Sequence, residues 1–269
     1  MIFLWIGLGA VLLAALYLLA LRGRRNHPGW KALEGARFAH RGLHGAGVPE
    51  NSMTAFRRAV EKGFGIELDV HLLADGTLAV IHDNTLLRTT GAEGKVEEQT
   101  AESLQQYRLE GTEESIPLFS QVLELVDGKV PLVIELKCVN NPKILTDRVM
   151  EVLQAYSGPY CIESFDPRVI RHLRKKHPQV IRGQLSQNFF AAGKNLPWIL
   201  RWLVTAHLLN FLILPDFIAY QFSDRKRPGT FLVRKLWGVR GVAWTLRKPH
   251  QLKAAEKEGW LPIFENFLP

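Results

Sequence analysis

An alternation constrains this chain more than any other feature. Eight short apolar runs recur along it, most of them separated by stretches with helical spacing. The runs are Arg37–Arg41, Gly65–His71, Leu78–His82, Pro131–Lys137, Tyr160–Ser164, Val180–Gln184, Phe217–Gln221 and Gly241–Thr245. Helical patterns cover Ser52–Lys62, Pro142–Tyr156, Pro167–Lys176 and Pro249–Glu258. Asn51 or Ser52 can cap the first, and Pro167 and Pro249 fall in first turns, where a missing N–H costs nothing. Strands alternating with helices make a parallel sheet, and eight of them are enough to close an α/β barrel of the (β/α)₈ type. At 269 residues the chain is long enough for such a barrel as one unit. An open, doubly wound sheet is the competing arrangement.

Composition removes other classes. Apolar residues make up 47% and charged residues 22%, which excludes disordered, collagen-like and coiled-coil chains. Two cysteines, Cys138 and Cys161, are too few for a disulfide scaffold or a cysteine-ligated zinc site. Half of the 34 basic residues, but only the acids Asp216 and Asp224, lie between Arg168 and Lys253. That basic third suits an anionic partner, and it equally suits a solvated surface.

Ile2 to Leu21 carry no charge. As a helix such a segment spans roughly 30 Å, the thickness of the hydrocarbon core of a bilayer. Trp5 and Tyr17 lie towards its two ends, where amphipathic rings favour the interface. A cleaved signal peptide fits less well, because there is no basic stretch before the apolar run and no small-residue cleavage motif before Arg22. Arg22, Arg24 and Arg25 follow directly, so the positive-inside rule places the remainder in the cytoplasm. The expected organisation is a single-pass anchor over 1–22, a polar linker over 23–35 and a catalytic barrel over 36–269. One later stretch, Phe189 to Leu214, is unusually rich in Trp, Phe and Leu, its charges being Lys194 and Arg201. It reads either as a buried barrel helix or as an amphipathic element lying in the membrane interface.

In a parallel barrel the chemistry sits at the C-terminal ends of the strands. Here those ends are polar: His40-Arg41, Glu67-x-Asp69, His82-Asp83 and Glu135-x-Lys137. Two-residue spacing on a strand puts both side chains on one face. Three clustered carboxylates repel one another, and a divalent cation relieves the repulsion. Oxygen ligands favour Mg²⁺ or Ca²⁺ over zinc. Such an ion polarises a phosphoryl oxygen, Arg41 and Lys137 can clamp the remaining oxygens, and His40 and His82 can exchange protons as acid and base.

The ordered motifs also resemble a known family. His40-Arg41-Gly42, Pro49-Glu50-Asn51-Ser52, Glu67-Leu68-Asp69-Val70, Asp75-Gly76, His82-Asp83, Leu87-Arg88-Thr89-Thr90, Gly94-Lys95-Val96, Ile116-Pro117-Leu118 and Ile134-Glu135-Leu136-Lys137 are similar to those of the glycerophosphodiester phosphodiesterases. The dense part covers about 37–137, with weaker echoes in Glu163-Ser164-Phe165-Asp166 and Ala243-Trp244-Thr245. The resemblance implies a TIM barrel that hydrolyses glycerol phosphodiesters to sn-glycerol 3-phosphate and an alcohol. It implies Glu67, Asp69 and Glu135 as metal ligands and His40 and His82 as the acid–base pair. Arg41 and Lys137 would bind phosphate, Glu50 would support the site, and Phe165 and Trp244 would wall the pocket. Attack by the glycerol 2-hydroxyl, through a cyclic phosphate, and direct attack by water both remain open.

The chain departs from the family pattern at three places: Ser52 where threonine is usual, Leu73-Ala74 before Asp75-Gly76, and Arg247 where asparagine is common. Arg247 puts the alcohol-side contacts in doubt and favours an anionic or lipid headgroup. Two rivals follow. An anchored chain with a greasy flank also suits a lysophospholipase D-like phosphodiesterase acting on membrane (lyso)phospholipids. A non-catalytic, membrane-tethered binder of anionic lipid is the other. Aromatic–basic interleaving of a nucleic-acid-binding module is absent, so no nucleic-acid partner is expected.

Overall fold

The computed structural model describes residues 1–191 and 197–269; Lys194 lies outside the described residues. In chain order the elements are helix α1 (Ile2–Ala20), strand β1 (Phe38–Ala39), α2 (Met53–Glu61), β2 (Gly65–Leu72), β3 (Leu78–Val80), α3 (Leu87–Thr90), α4 (Ala101–Leu104) and α5 (Phe119–Val126). Then come β4 (Leu132–Leu136), α6 (Pro142–Leu153), β5 (Tyr160–Ser164), α7 (Pro167–Lys176), β6 (Arg182–Ser186), α8 (Trp198–Thr205) and α9 (Asn210–Ile213). The chain ends with β7 (Phe217–Gln221), α10 (Pro228–Lys235), β8 (Arg240–Leu246), α11 (Pro249–Lys257) and β9 (Trp260–Phe264).

Eight strands, β1, β2 and β4 to β9, pair in parallel, and β1 closes the ring by pairing with both β2 and β9. The (β/α)₈ expectation therefore holds, but one member of the expected set differs. Leu78–His82 is not a barrel strand: its core, β3, turns back antiparallel on β2. The reason is connection length. Only Leu73–Thr77 separate the two, whereas a parallel crossover needs a dozen residues or more. The eighth barrel strand is β9, which the apolar-run pattern misses because Pro262 interrupts it and proline is rarely central in a sheet.

Side-chain parity builds the interior. On β1, β4, β5, β8 and β9 the inward residues Phe38, Val133, Cys161, Val242 and Ile263 belong to one buried cluster, completed below by Trp30, Leu33 and Phe217. Their outward neighbours Ala39, Ile134, Ile162, Ala243 and Phe264 pack against the helices in another. Two residues further along each strand, the inward position is His40, Glu135, Glu163, Trp244 and Glu265. The apolar floor thus supports a polar layer at the C-terminal mouth. The floor is tight: a Cβ on Gly183 would sit 2.1 Å from the Phe217 ring, and one on Gly65 2.7 Å from Phe38, so both strands need glycine there.

Residues 23–35, expected as a polar linker, lie against the barrel base. Trp30 packs on Phe217 at 5.5 Å between ring centroids, and Leu33 is fully buried. Arg24 forms an ion pair with Asp216 and donates to the Pro178 carbonyl at 2.6 Å. Arg25 donates to the carbonyls of Leu236 and Trp237. Two of the three arginines behind the topology expectation therefore also staple the entry segment to the barrel. Before them, α1 is long and apolar enough to cross a membrane by length and composition. Its last turn joins Leu21 in a cluster with Leu203, Leu208, Leu232, Val233 and Trp237. The Trp237 indole N–H donates to the Leu18 carbonyl at 2.8 Å.

Candidate active site

The polar layer brings the expected residues together. Glu67, Asp69 and Glu135 are all buried, and each offers an oxygen within 4.8 Å of the others. They come from neighbouring strands, with Asp69 registered against Glu135 across β2 and β4. His40, Arg41, Glu67, His82, Glu135, Phe165 and Trp244 line one small cavity of about 50 Å³. His82 reaches it from the loop after β3 rather than from a barrel strand, because the β2–β3 hairpin lays Ile81 on β2, its N–H donating to the Asp69 carbonyl at 3.0 Å.

Local backbone choices aim these groups. Arg41 has φ 54° and Asn51 φ 53°, a left-handed conformation that carries strain for both. The two are joined by the Asn51 N–H donating to the Arg41 carbonyl at 2.9 Å. This corner turns the Arg41 backbone N–H onto Glu67 at 2.9 Å and the Asn51 side-chain amide onto Asp69 at 2.8 Å. Ser52 caps α2, its hydroxyl accepting from the Ala55 N–H at 3.1 Å.

The charges are unevenly compensated. Lys137 sits between Glu135 at 2.8 Å and Asp69 at 3.0 Å, while Arg41 pairs with Glu50 at 2.9 Å and approaches Asp69 at 3.5 Å. Burial pushes the Asp69 carboxyl up, but Lys137, His82 and Arg41 together hold it well below its usual range. Glu67 goes the other way: burial, then Asp69 and Glu135, push it well above the usual carboxylate range. Glu135 is also raised, chiefly by burial. Three buried carboxylates that cannot all ionise together are a donor set a divalent cation fits, since its charge favours the ionised form of all three.

Each histidine has a carboxylate behind it. The His40 Nδ1 donates to Glu265 at 2.9 Å, and the His82 Nδ1 donates to Asp83 at 2.6 Å. Each Nε2 is the ring nitrogen left for chemistry, and that of His40 lies 3.9 Å from Glu67. Burial lowers both imidazoles, His82 to about 4, so both are neutral at neutral pH before an anion binds. Arg88 ties the groups behind the site together, donating to Glu50 at 2.6 Å and also to Asp83. Arg247, the departure at the family's asparagine position, lies behind His40 and reaches Glu265 at 3.3 Å.

Sequence reasoning does not assign Glu265, Asp83, Arg88, Asn51 or Glu163 to the site. Asp83 and Arg88 stand inside motifs already singled out, so adjacency to His82 was the available signal. Glu265 is 225 residues from His40 and is placed there only by the β1–β9 pairing. Glu163 is buried on β5 beside Glu135, and burial pushes its carboxyl well above the usual range. Phe165 meets Trp244 edge-on at 5.8 Å and Phe189 at 5.9 Å, forming an aromatic wall. Among the described residues, no acceptor meets the buried Trp244 indole N–H. Beside the small cavity a cleft of about 980 Å³ runs from His82, Glu135 and Lys137 past Phe165 and Phe189 to Leu200 and Val204 of α8.

A parallel barrel with buried carboxylates, cations and paired histidines at its C-terminal mouth defines a barrel hydrolase built for an anionic ester. A model of the glycerophosphoryl diester phosphodiesterase family matches residues 40–268. A glycerophosphodiester phosphodiesterase of Caldanaerobacter subterraneus is 36% identical over 236 residues, 82% of this chain and 89% of that protein. A lysophospholipase D of Rattus norvegicus is 34% identical over 131 residues, 44% of this chain and 40% of that one. Among solved structures, an Oleispira antarctica phosphodiesterase in complex with the product sn-glycerol-3-phosphate shares the fold, with TM-score 0.72, 22% identity, and coverage of 90% of this chain and 95% of that one. The chain belongs to the glycerophosphoryl diester phosphodiesterase family, enzymes that hydrolyse glycerophosphodiesters.

Proposed function

We propose that the protein cleaves a glycerophosphodiester to sn-glycerol 3-phosphate and an alcohol by acid–base catalysis between His40 and His82. The observation that carries this is the matched pair of carboxylate-backed imidazoles on one cavity. Glu265 and Asp83 fix each ring with Nδ1 protonated, leaving Nε2 to handle protons. One Nε2 takes the proton of the attacking hydroxyl and the other gives a proton to the departing alkoxide, so a P–O bond forms as another breaks. Bringing a phosphate anion between two neutral imidazoles favours protonation of one, which supplies the acid.

Glu67, Asp69 and Glu135 would hold a divalent cation, Mg²⁺ or Ca²⁺, which when bound supplies Lewis acidity towards a phosphoryl oxygen. Arg41 and Lys137 bind the phosphate, Glu50 orients Arg41, and Phe165 and Trp244 pack the glycerol. The Trp244 N–H, unmatched among the described residues, is a donor for a ligand oxygen. The attacking hydroxyl is either the glycerol 2-hydroxyl or water. A substrate lacking the 2-hydroxyl separates them: normal turnover excludes the cyclic route.

A second substrate reading rests on the apolar arm of the cleft. Phe189, Leu200 and Val204 extend the site away from the charges in the manner an acyl chain requires, which suits a lysophospholipid. Helix α1 is read as a membrane anchor with the barrel on the cytoplasmic side; recovery of the mature protein without its first residues would identify α1 as a cleaved leader instead. Turnover of glycerophosphocholine, glycerophosphoglycerol and a lysophospholipid by detergent-solubilised protein, with Mg²⁺, Ca²⁺ or EDTA, tests the reaction. Activity that EDTA abolishes is expected; none with any substrate in folded protein would refute the reading.

A further inference from the structure

Helix α8 has two apolar faces, and only one of them is used by the fold. Leu200 and Val204, one turn apart, face the substrate cleft. On the other side Trp198, Ile199 and Trp202 are 71%, 54% and 51% exposed. Exposing two tryptophans and an isoleucine on two turns of a helix is costly in water, and amphipathic rings of this kind favour the headgroup–acyl boundary of a bilayer. Lying within five residues of one helix, these three are not isolated surface hydrophobics. Phe211 of α9, Phe231 of α10 and Leu236 just after α10 are exposed as well. The helices are in close contact, a Cβ on Gly229 of α10 falling 3.1 Å from the Ala206 carbonyl at the end of α8.

The position of α1 identifies the occupant. Leu203 and Ala206 pack into the cluster that holds Tyr17, Ala20 and Leu21. Leu203 follows Trp202 directly, and at about 1.5 Å per residue Trp198 is only roughly 8 Å further along the helix axis. The exposed face therefore begins where the apolar helix meets the barrel. Lys226, just before α10, and Lys235, its last residue, are exposed bases that suit anionic headgroups.

We infer that the outer face of α8 lies in the interface of the bilayer that α1 crosses. Helix α8 is then the shared wall between the membrane and the phosphodiester cleft. The inference rests on the anchor reading of α1 and does not depend on which phosphodiester is cleaved.

The test uses the full chain in vesicles of phosphatidylcholine and phosphatidylglycerol, with bromine near the ester end of some acyl chains. Subtracting the emission of a Trp198→Phe/Trp202→Phe protein from that of the wild type isolates these two among the seven tryptophans. Strong quenching of the difference signal by brominated lipid is expected. An unquenched signal in protein that floats with the vesicles overturns the inference alone. Protein that does not float overturns the anchor reading and this inference with it. Ile199→Glu is an independent variant: it should lose the quenched component and keep full turnover of glycerophosphocholine in detergent, and undiminished quenching in it would overturn the assignment.

Discussion

The barrel mouth around β1, β2 and β4 and the flank formed by α8, α9 and α10 break opposite rules of burial. The mouth buries Glu67, Asp69, Glu135 and Glu163, groups that water would otherwise solvate. The flank leaves Trp198, Ile199, Trp202 and Phe231 in the open, groups that water expels. On the readings proposed above, both places suit a partner outside the chain: a cation and a phosphodiester at the mouth, a lipid surface at the flank. Functional regions show themselves here as local violations of folding economy, and the sign of the violation indicates the chemistry of the partner.

The comparison breaks most sharply at the mouth. His40→Ala or His82→Ala should each lower kcat on glycerophosphocholine about 100-fold or more, while Trp198→Phe/Trp202→Phe leaves it unchanged. Glu67→Gln should reduce activity to the chelated level and remove its recovery when Mg²⁺ or Ca²⁺ is restored; recovery equal to wild type would remove Glu67 from the ligand set. Glu265→Gln should cost roughly tenfold in kcat with KM little changed, because Gln cannot hold the His40 ring in one tautomer as a carboxylate does. An effect confined to KM would assign Glu265 to substrate binding instead.

Beneath the flank the expected effects fall on stability. Leu208, 8% exposed in the cluster under α1, should cost about 2–5 kcal/mol on replacement by Ala, read by denaturant melts, with kcat of the folded fraction intact. The last effect is a pH slope. His207 is buried, its Nε2 paired with Thr230 at 3.1 Å, and burial lowers its pKa to about 3. The unfolded chain takes up this proton near 6.5 and the folded one resists it, so stability falls as the pH drops from about 6.5 towards 3. His207→Gln should flatten the melting temperature over that window, and an identical slope would show that other groups set it.

The two regions were unequally legible in the sequence. Glu67-x-Asp69 and Glu135-x-Lys137 carry their geometry with them, because strand parity alone puts each pair on one face. Identity at those positions also limits the chemistry, so the cluster could be anticipated from residue type. The barrel count was right with one wrong member: β3 imitates a barrel strand in composition, and β9 is disguised by Pro262. Losing β9 also hid Glu265, whose role depends on a pairing across nearly the whole chain. The flank was ambiguous for a different reason. An apolar helix reads the same in sequence whether its outer face is buried or open, and only the exposure of Trp198 and Trp202 in the structure separates the two.

The stapled entry segment has a consequence for motion. A chain leaving a membrane through a flexible tether lets its barrel tumble and present the mouth in any direction. Here Arg24 on Asp216, Arg25 on two carbonyls and Trp30 under Phe217 lock the exit of α1 to the barrel floor. On the anchor reading of α1, a barrel held this way would give up its rotational freedom in a bilayer, and the angle between barrel and helix would be a fixed property of the molecule.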